Sequence, residues 1–388
     1  MRQGKYVFAQ LMDLIHNTEF SRCVERYEGH KGVRSFSCWH QFLCLSFGQL
    51  THRDSLRDII LCLEAHSSKL YHLGLPSKVS RSTLAEANEK RDWRIYQDLA
   101  QLLLKRAKQL DLDLTLEGLD FDNPIYALDS STVDLCLEVF WWAKFRKTKA
   151  AIKLHTLLDV RMQVPVFVHI TNGKVHDVNV MDILNYEVEA FYVMDRGYLD
   201  WARLYRIHTS HAYFVTRAKK NLAFDHVASR KVDKTKGLRC DQNIYLATAL
   251  SRQAYPQLIR RVKFFDEDRR KYFVFLTNNF EISALEVALL YKNRWKIELF
   301  FKWIKQHLDI KVFWGENQNA VKTQIWIAVC CYLMVKILKE KLQIPKTMNE
   351  ILQILSVSIL DKMPIYQLLG VYEIENFETP DSNQLNIF

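Results

Sequence analysis

Five short runs rich in β-branched and aromatic residues, at 125–129, 151–160, 164–170, 191–195 and 212–216, dominate the middle of the chain. Runs this short make strands rather than helices. The first three read as an antiparallel meander joined by turns, while helical stretches at 178–186 and 199–208 lie before and after the fourth. A chain with that order is committed to one mixed sheet with helices packed on it. Two of the runs end on an aspartate, Asp129 and Asp195.

The order βββ-α-β-α-β is that of an RNase H-like domain, so the expected fold class is mixed α/β around an RNase H-like core. Residues 219–280 interrupt the pattern with a basic, β-rich insertion before a long helix that starts near residue 282. All-helical regions flank the core. Apolar residues recur at three and four over 39–48, 55–64 and 93–109 on one side and over 321–342 and 348–360 on the other, ahead of a polar tail at 373–388. The expected units are therefore 1–115, 116–312 and 313–388. Within the first, residues 80–88 begin with capping residues and present Ser80, Arg81, Ser82 and Asn88 on a short helix. That composition fits a helix-turn-helix reader, and it fits equally well an ordinary three-helix bundle with polar loops.

Composition narrows the functional class. With 11 Gly and 7 Pro among 388 residues, the chain is neither collagen-like nor linker-rich. The net charge of +10 points to a polyanionic partner, a signal that basic enzymes also show. The N-terminal residues lack the pattern of a signal peptide, and the longest apolar run, 325–335, is too short to span a bilayer and reads as a buried helix. The eight cysteines are scattered without C-x-x-C pairs, which suggests reduced core thiols, a cytoplasmic location and no zinc site.

Three places can carry chemistry. Asp129, in Leu128-Asp-Ser-Ser-Thr132, follows an apolar strand, although capping the next turn is the commoner fate of such an aspartate. Asp195, in Met194-Asp-Arg-Gly-Tyr198, repeats the theme, with Gly197 allowing a sharp turn. If the two strands are neighbours, the two carboxylates can share a cation. The third place is a helical segment in which Tyr291, Arg294, Glu298, Lys302 and Lys305 fall within one stripe about 80° wide. Ile297, Phe300, Phe301, Ile304 and Leu308 form an apolar face beside it. A solvated stripe with i,i+4 ion pairs is the plain reading of such a face. Three carboxylates with no nearby His or Cys favour Mg²⁺, or Mn²⁺ in its place, over zinc.

The pattern Y-x2-R-x3-E-x6-K is filled by Tyr291, Arg294, Glu298 and Lys305, behind LDSST at 128–132 and MDRGY at 194–198. In these motifs, and in the text at 140–160 and 173–182, the chain closely resembles bacterial insertion-sequence transposases of the DDE class, the insertion sequence four type. The resemblance covers most of residues 5–345. It implies that Asp129, Asp195 and Glu298 are the catalytic, metal-binding triad. It also implies that Tyr291, Arg294 and Lys305 contact the transposon-end DNA, with Lys302 outside the four signature letters. The implied partners are double-stranded DNA, both transposon ends and target, and a second copy of the chain in a synaptic complex, with no membrane; the implied location is the bacterial cytoplasm, at the nucleoid. An RNase H-like nuclease without strand transfer, or an inactive domesticated DNA-binding protein, are the alternatives.

Basic segments add nucleic-acid character. Lys144, Arg146, Lys147, Lys149 and Lys153 lie beside Trp141, Trp142 and Phe145 with no acidic residue over 139–158, a mixture suited to phosphates and unstacked bases. A second basic stretch spans 219–239. His155 and His169 read as sheet-face residues, and Asp177 as the N-cap of the following helix.

Overall fold

The computed structural model describes residues 4–110, 115–146, 149–307 and 313–370. Helices come first: α1 (Val7–Met12), α2 (Asn17–Arg26), α3 (Cys38–Leu50), α4 (Leu56–Ala65), α5 (Arg81–Lys90) and α6 (Arg94–Lys108). Hydroxyls fix three of their starts, Ser37, Ser55 and Ser80 each accepting a backbone N–H from the first turn they cap. The chain then alternates strands with a few helices. These are β1 (Ile125–Leu135), β2 (Lys144–Arg146), β3 (Lys149–Asp159), β4 (Val164–Asn172), β5 (Phe191–Met194), α7 (Trp201–Thr209), β6 (Tyr213–Arg217), β7 (Phe224–Arg230), β8 (Leu238–Leu246), α8 (Ala249–Ala254), β9 (Ile259–Asp266) and β10 (Lys271–Thr277). Helices α9 (Ala284–Asn293), α10 (Trp295–His307), α11 (Gln318–Lys341), α12 (Met348–Ser358) and α13 (Ile365–Leu368) close it.

All ten strands belong to one mixed sheet, ordered β2-β3-β1-β5-β6-β10-β9-β8-β7, with β4 also on β3. β1, β3 and β4 are antiparallel, whereas β5 runs parallel to β1 and β6 parallel to β5. The basic insertion is part of this sheet: β7 to β10 form an antiparallel meander that joins β6 through β10. A buried pair ties it to the helices that follow. Arg260 bonds Asp241 through two nitrogens, at 2.9 and 2.8 Å, and donates to the carbonyl of Ile282, just before α9.

Alternation along the strands sends side chains to two cores. Ile125, Ala127, Phe191 and Val193 join Ile297, Phe300, Phe301 and Ile304 of α10 on one face. Tyr126, Leu128, Tyr192 and Met194 join Leu204 and Ile207 of α7 on the other. Burial of each large apolar side chain of α10 contributes about 1.5–3 kcal/mol, which fixes that helix against β1.

The 24-residue α11 is long and apolar enough to cross a membrane by length and composition, yet its most apolar stretch is 89% buried. It packs against α3, α5, α6 and α12, so the helices before and after the sheet share one core.

Four expectations change. The helix expected at 178–186 is a short 3-10 helix, Asp177–Asp182; no side chain caps it, and Val178, Asn179 and Val180 are poor helix formers. Asp177 is not its N-cap, and its carboxylate lies 3.0 Å from Lys153 instead. Asn88 is not presented on α5: it is buried and accepts a hydrogen bond from Gln41 at 2.8 Å. Fourth, the single helix expected from about residue 282 is two, α9 and α10, parted at Arg294. Hydrogen bonds three residues long, from Arg294 N–H to Tyr291 and from Ile297 N–H to Arg294, tighten the chain at that joint.

Candidate active site

Asp129 does not end its strand, since β1 continues to Leu135. Its parallel neighbour does stop. The β1–β5 register pairs Ala127 with Val193 and Leu128 with Met194, so the next residue on each strand is Asp129 and Asp195. Asp195 keeps an extended backbone, φ −78° and ψ 174°, and the two aspartates stand side by side about 5 Å apart at their backbones. By alternation both project to the face covered by α9 and α10.

Each aspartate is held by its own backbone. Asp129 Oδ1 accepts the Ser130 N–H at 2.8 Å, and Asp195 Oδ1 accepts the Gly197 N–H at 2.7 Å. Gly197 leaves room for that fold-back, since a Cβ there would stand 2.9 Å from Asp195 Oδ1 and the carboxylate would have to shift. The hydroxyl of Thr216, on the neighbouring β6, donates to the Asp195 carbonyl at 3.1 Å and fixes the strand end.

Glu298 enters from the first turn of α10. Arg294, at the joint between α9 and α10, reaches both sides: Nη1 lies 3.0 Å from Asp129 Oδ2, and Nη2 pairs with Glu298 Oε1. Its side chain is only 14% exposed. Burial works against the charge on Arg294, but Tyr291, Asp129 and Glu298 around it hold its pKa above the ordinary value. Burial pushes the Asp129 carboxyl up to about 6; the Ser130 N–H and Arg294 oppose the rise, and the charges of Asp195 and Glu298 add to it. Asp129 thus lies within electrostatic reach of Asp195, Glu298 and Arg294 together.

The polar stripe is therefore not a solvated face at its N-terminal end. Tyr291 is buried, with the Arg294 guanidinium 5.6 Å from its ring. Lys305 donates to the Thr132 carbonyl of β1 at 2.7 Å, tying α10 to the strand that carries Asp129. Lys302 is exposed. Lys144 and Lys149 are exposed on β2 and β3, Arg146 ends β2, and Lys147 lies outside the described residues. Lys153 turns inward, donating to the Val175 carbonyl at 2.8 Å.

The sequence reading missed a polar cluster on the opposite face of the sheet, behind Asp129. His155, the cross-strand partner of Ser130, is fully buried, bonds Thr171 at 2.9 Å, and has its second ring nitrogen 3.9 Å from Asp177. Burial lowers its pKa to about 4. Tyr198 is buried there too, with its pKa raised by burial and by Asp129 and Asp177. The available signal was parity: Lys153 and His155 share one face of β3, and Thr156, opposite Asp129, lies on the other.

The donor set at the site suits a hard divalent cation, being carboxylate oxygen alone with no His or Cys. Among the described residues no three His, Cys, Asp or Glu side chains converge closely enough to form a ready-made cage. Arg294 stands between two of the three acids. Beside it a cleft of about 460 Å³ opens between α9, α10 and the β9–β10 hairpin, lined by Phe264, Phe275, Tyr291, Arg294 and Trp295.

Residues 120–334 match the family described as a transposase DDE domain, and residues 3–76 match a domain of unknown function. The chain is 32% identical over 268 residues to a Sinorhizobium fredii protein named "Putative transposase y4zB", covering 68% of this chain and 72% of that one. It is 28% identical over 265 residues to a probable transposase for an insertion sequence element of Geobacillus stearothermophilus, covering 68% of each. A piggyBac transposase synaptic complex with hairpin DNA, solved by cryo-EM, aligns over 97% of this chain and 86% of that chain with a TM-score of 0.44 and 9% identity, too remote a likeness to assign more.

Proposed function

The chain belongs to the insertion-sequence transposases with a DDE domain, and from that premise we propose that it binds the terminal inverted repeats of its own element, cleaves there with two divalent cations, and transfers the freed 3′-hydroxyl ends to target DNA. The observation that carries this reading is the pairing of Asp129 and Asp195 on adjacent parallel strands, with Glu298 facing them from α10. The strand order β4-β3-β1-β5-β6, antiparallel then parallel, supports an RNase H-like core.

Asp129, Asp195 and Glu298 are the residues that would hold the cations, Mg²⁺ or Mn²⁺. When bound, such ions activate the attacking oxygen and stabilise the leaving oxygen of an in-line phosphoryl displacement. The chain's own groups do the positioning. Ser130, Gly197 and Thr216 orient the two aspartates, and the packing of α10 sets the height of Glu298. Exposed Lys302, Lys144 and Lys149 offer charge to DNA phosphates, with Arg146 and Lys147 in the same basic segment. Lys305 braces α10 against β1, and Tyr291 packs its ring on Arg294 at the end of α9, as well as both lying in the DNA-contact signature.

We assign end recognition to the helical unit within 1–115, cleavage-site contacts to the insertion at 219–280 together with the helix that carries Glu298, and protein–protein contact to the helical region 313–388. Synapsis of two ends requires at least a dimer. The workplace is the bacterial cytoplasm, at the nucleoid. The test is a strand-transfer assay with a duplex taken from the gene's own flanks and a supercoiled target: joined products support transposition, whereas cleavage without joining supports a nuclease.

A further inference from the structure

Arg294 is assigned to DNA by what the signature implies, yet its side chain is only 14% exposed and its guanidinium is engaged within the site. It joins Asp129 Oδ2 at 3.0 Å and Glu298, one acid from the sheet and one from α10. Those oxygens are the ones a divalent cation needs. A guanidinium and a cation cannot use the same lone pairs, so the two compete for the acids. The arginine is also incompletely satisfied where it sits: its Nε is buried with no acceptor, which leaves one donor available for a further anionic oxygen. It borders open space as well, because Arg294 lines the cleft between α9, α10 and the β9–β10 hairpin, beside Tyr291 and Trp295. It sits at the joint of two helices, where α9 ends, with the acids on one side and the cleft on the other.

From these contacts we infer that Arg294 is a built-in competitor for the cation, one that a DNA phosphate must draw off Asp129 and Glu298 before the cation binds tightly. Cation loading and DNA loading are then linked, and the linkage is reciprocal: whatever factor DNA adds to cation affinity, the cation adds to DNA affinity. The device keeps the cleaving centre weak until an end is seated. This inference rests on the assignment of Asp129, Asp195 and Glu298 as cation ligands.

Mn²⁺ binding to the purified full-length chain, followed by the loss of the free-ion paramagnetic resonance signal, tests it without any turnover. In the absence of DNA, Arg294→Ala binds Mn²⁺ about tenfold more tightly than the wild type, as expected for a coupling of ordinary size. Glu298→Gln binds it more weakly. Arg294→Gln, which keeps much of the side chain's length and some donors but not the charge, shifts in the same direction as Arg294→Ala and serves if the alanine variant unfolds. Adding a duplex from the gene's flanks tightens Mn²⁺ binding in the wild type and much less in Arg294→Ala. If both Arg294 variants bind Mn²⁺ no better than the wild type while Glu298→Gln binds worse, the competition is overturned and the ligand assignment stands. If Glu298→Gln binds like the wild type, the ligand assignment itself falls. Equal tightening by the duplex in wild type and variant overturns the linkage to DNA.

Discussion

Replacing Asp129 by Asn removes a charge from the most crowded point of the site while keeping its shape. The carboxyl has moved from its ordinary 3.8 to about 6, chiefly through burial, with the charges of Asp195 and Glu298 adding to the rise and the Ser130 N–H and Arg294 opposing it. A displacement of that size makes the ionised form about 3 kcal/mol less favourable in the folded chain than in the unfolded one. The side chain is 22% exposed, so solvent screening reduces the figure to about 2 kcal/mol. The folded pKa is the higher of the two. Between pH 3.8 and about 6 the folded chain therefore keeps a proton that the unfolded chain has lost, and the destabilisation grows as pH rises through that window and is constant above it. Asp129→Asn, measured in EDTA by thermal unfolding, should melt higher than the wild type by roughly 2–6 °C at about pH 7.5, and by much less near pH 4. Added Mg²⁺ should then raise the melting temperature of the wild type but not of the variant. A variant less stable than the wild type at the higher pH, or a gain of the same size at both, would refute the crowding argument.

Two further perturbations address the support of the site. Gly197→Ala places a methyl 2.9 Å from Asp195 Oδ1 and forces that carboxylate out of its fold-back, so divalent-cation binding should weaken by about tenfold, with a stability change within about 1 kcal/mol; unchanged Mn²⁺ affinity in a titration would separate Gly197 from the site. Lys302→Ala removes an exposed charge, so the slope of log affinity for end DNA against log salt should fall by about one unit; an unchanged slope would place Lys302 away from the phosphates.

Much of this arrangement is written in the sequence at the level of pattern. The five strand runs all appear as strands, because β-branched runs bounded by turns have no competing solution, and the parity of β1 and β5 already places Asp129 and Asp195 on one face. What the pattern could not carry is the outcome of contacts far apart in the chain. The stripe from Tyr291 to Lys305 satisfies helical spacing throughout, and nothing local forces a break at Arg294; the break accompanies a guanidinium reaching for Asp129, 165 residues earlier in the chain. Asn88 looked like a reader because short polar residues on a capped helix look alike, and only its partner Gln41, on another helix, makes it part of the core. The turn at Asp177–Asp182 failed as a helix for a similar reason, since the carboxylate that could have capped it is taken by Lys153 from a strand. The basic insertion was legible as strands, but not its attachment to the main sheet through β10, which depends on a pairing across the fold.

The central claim is that Glu298, with Asp129 and Asp195, makes a cation-dependent centre that cuts DNA at the ends of the element. The most direct measurement is cleavage of a plasmid carrying the gene's own flanking sequences by purified wild type and by Glu298→Gln, each with and without Mg²⁺, alongside end binding by gel shift. The wild type should cut at the element's ends only when Mg²⁺ is present, and Glu298→Gln should not cut at all even though it still binds the ends. Cleavage by Glu298→Gln at the wild-type rate, or cuts by the wild type without a divalent cation, would contradict the claim.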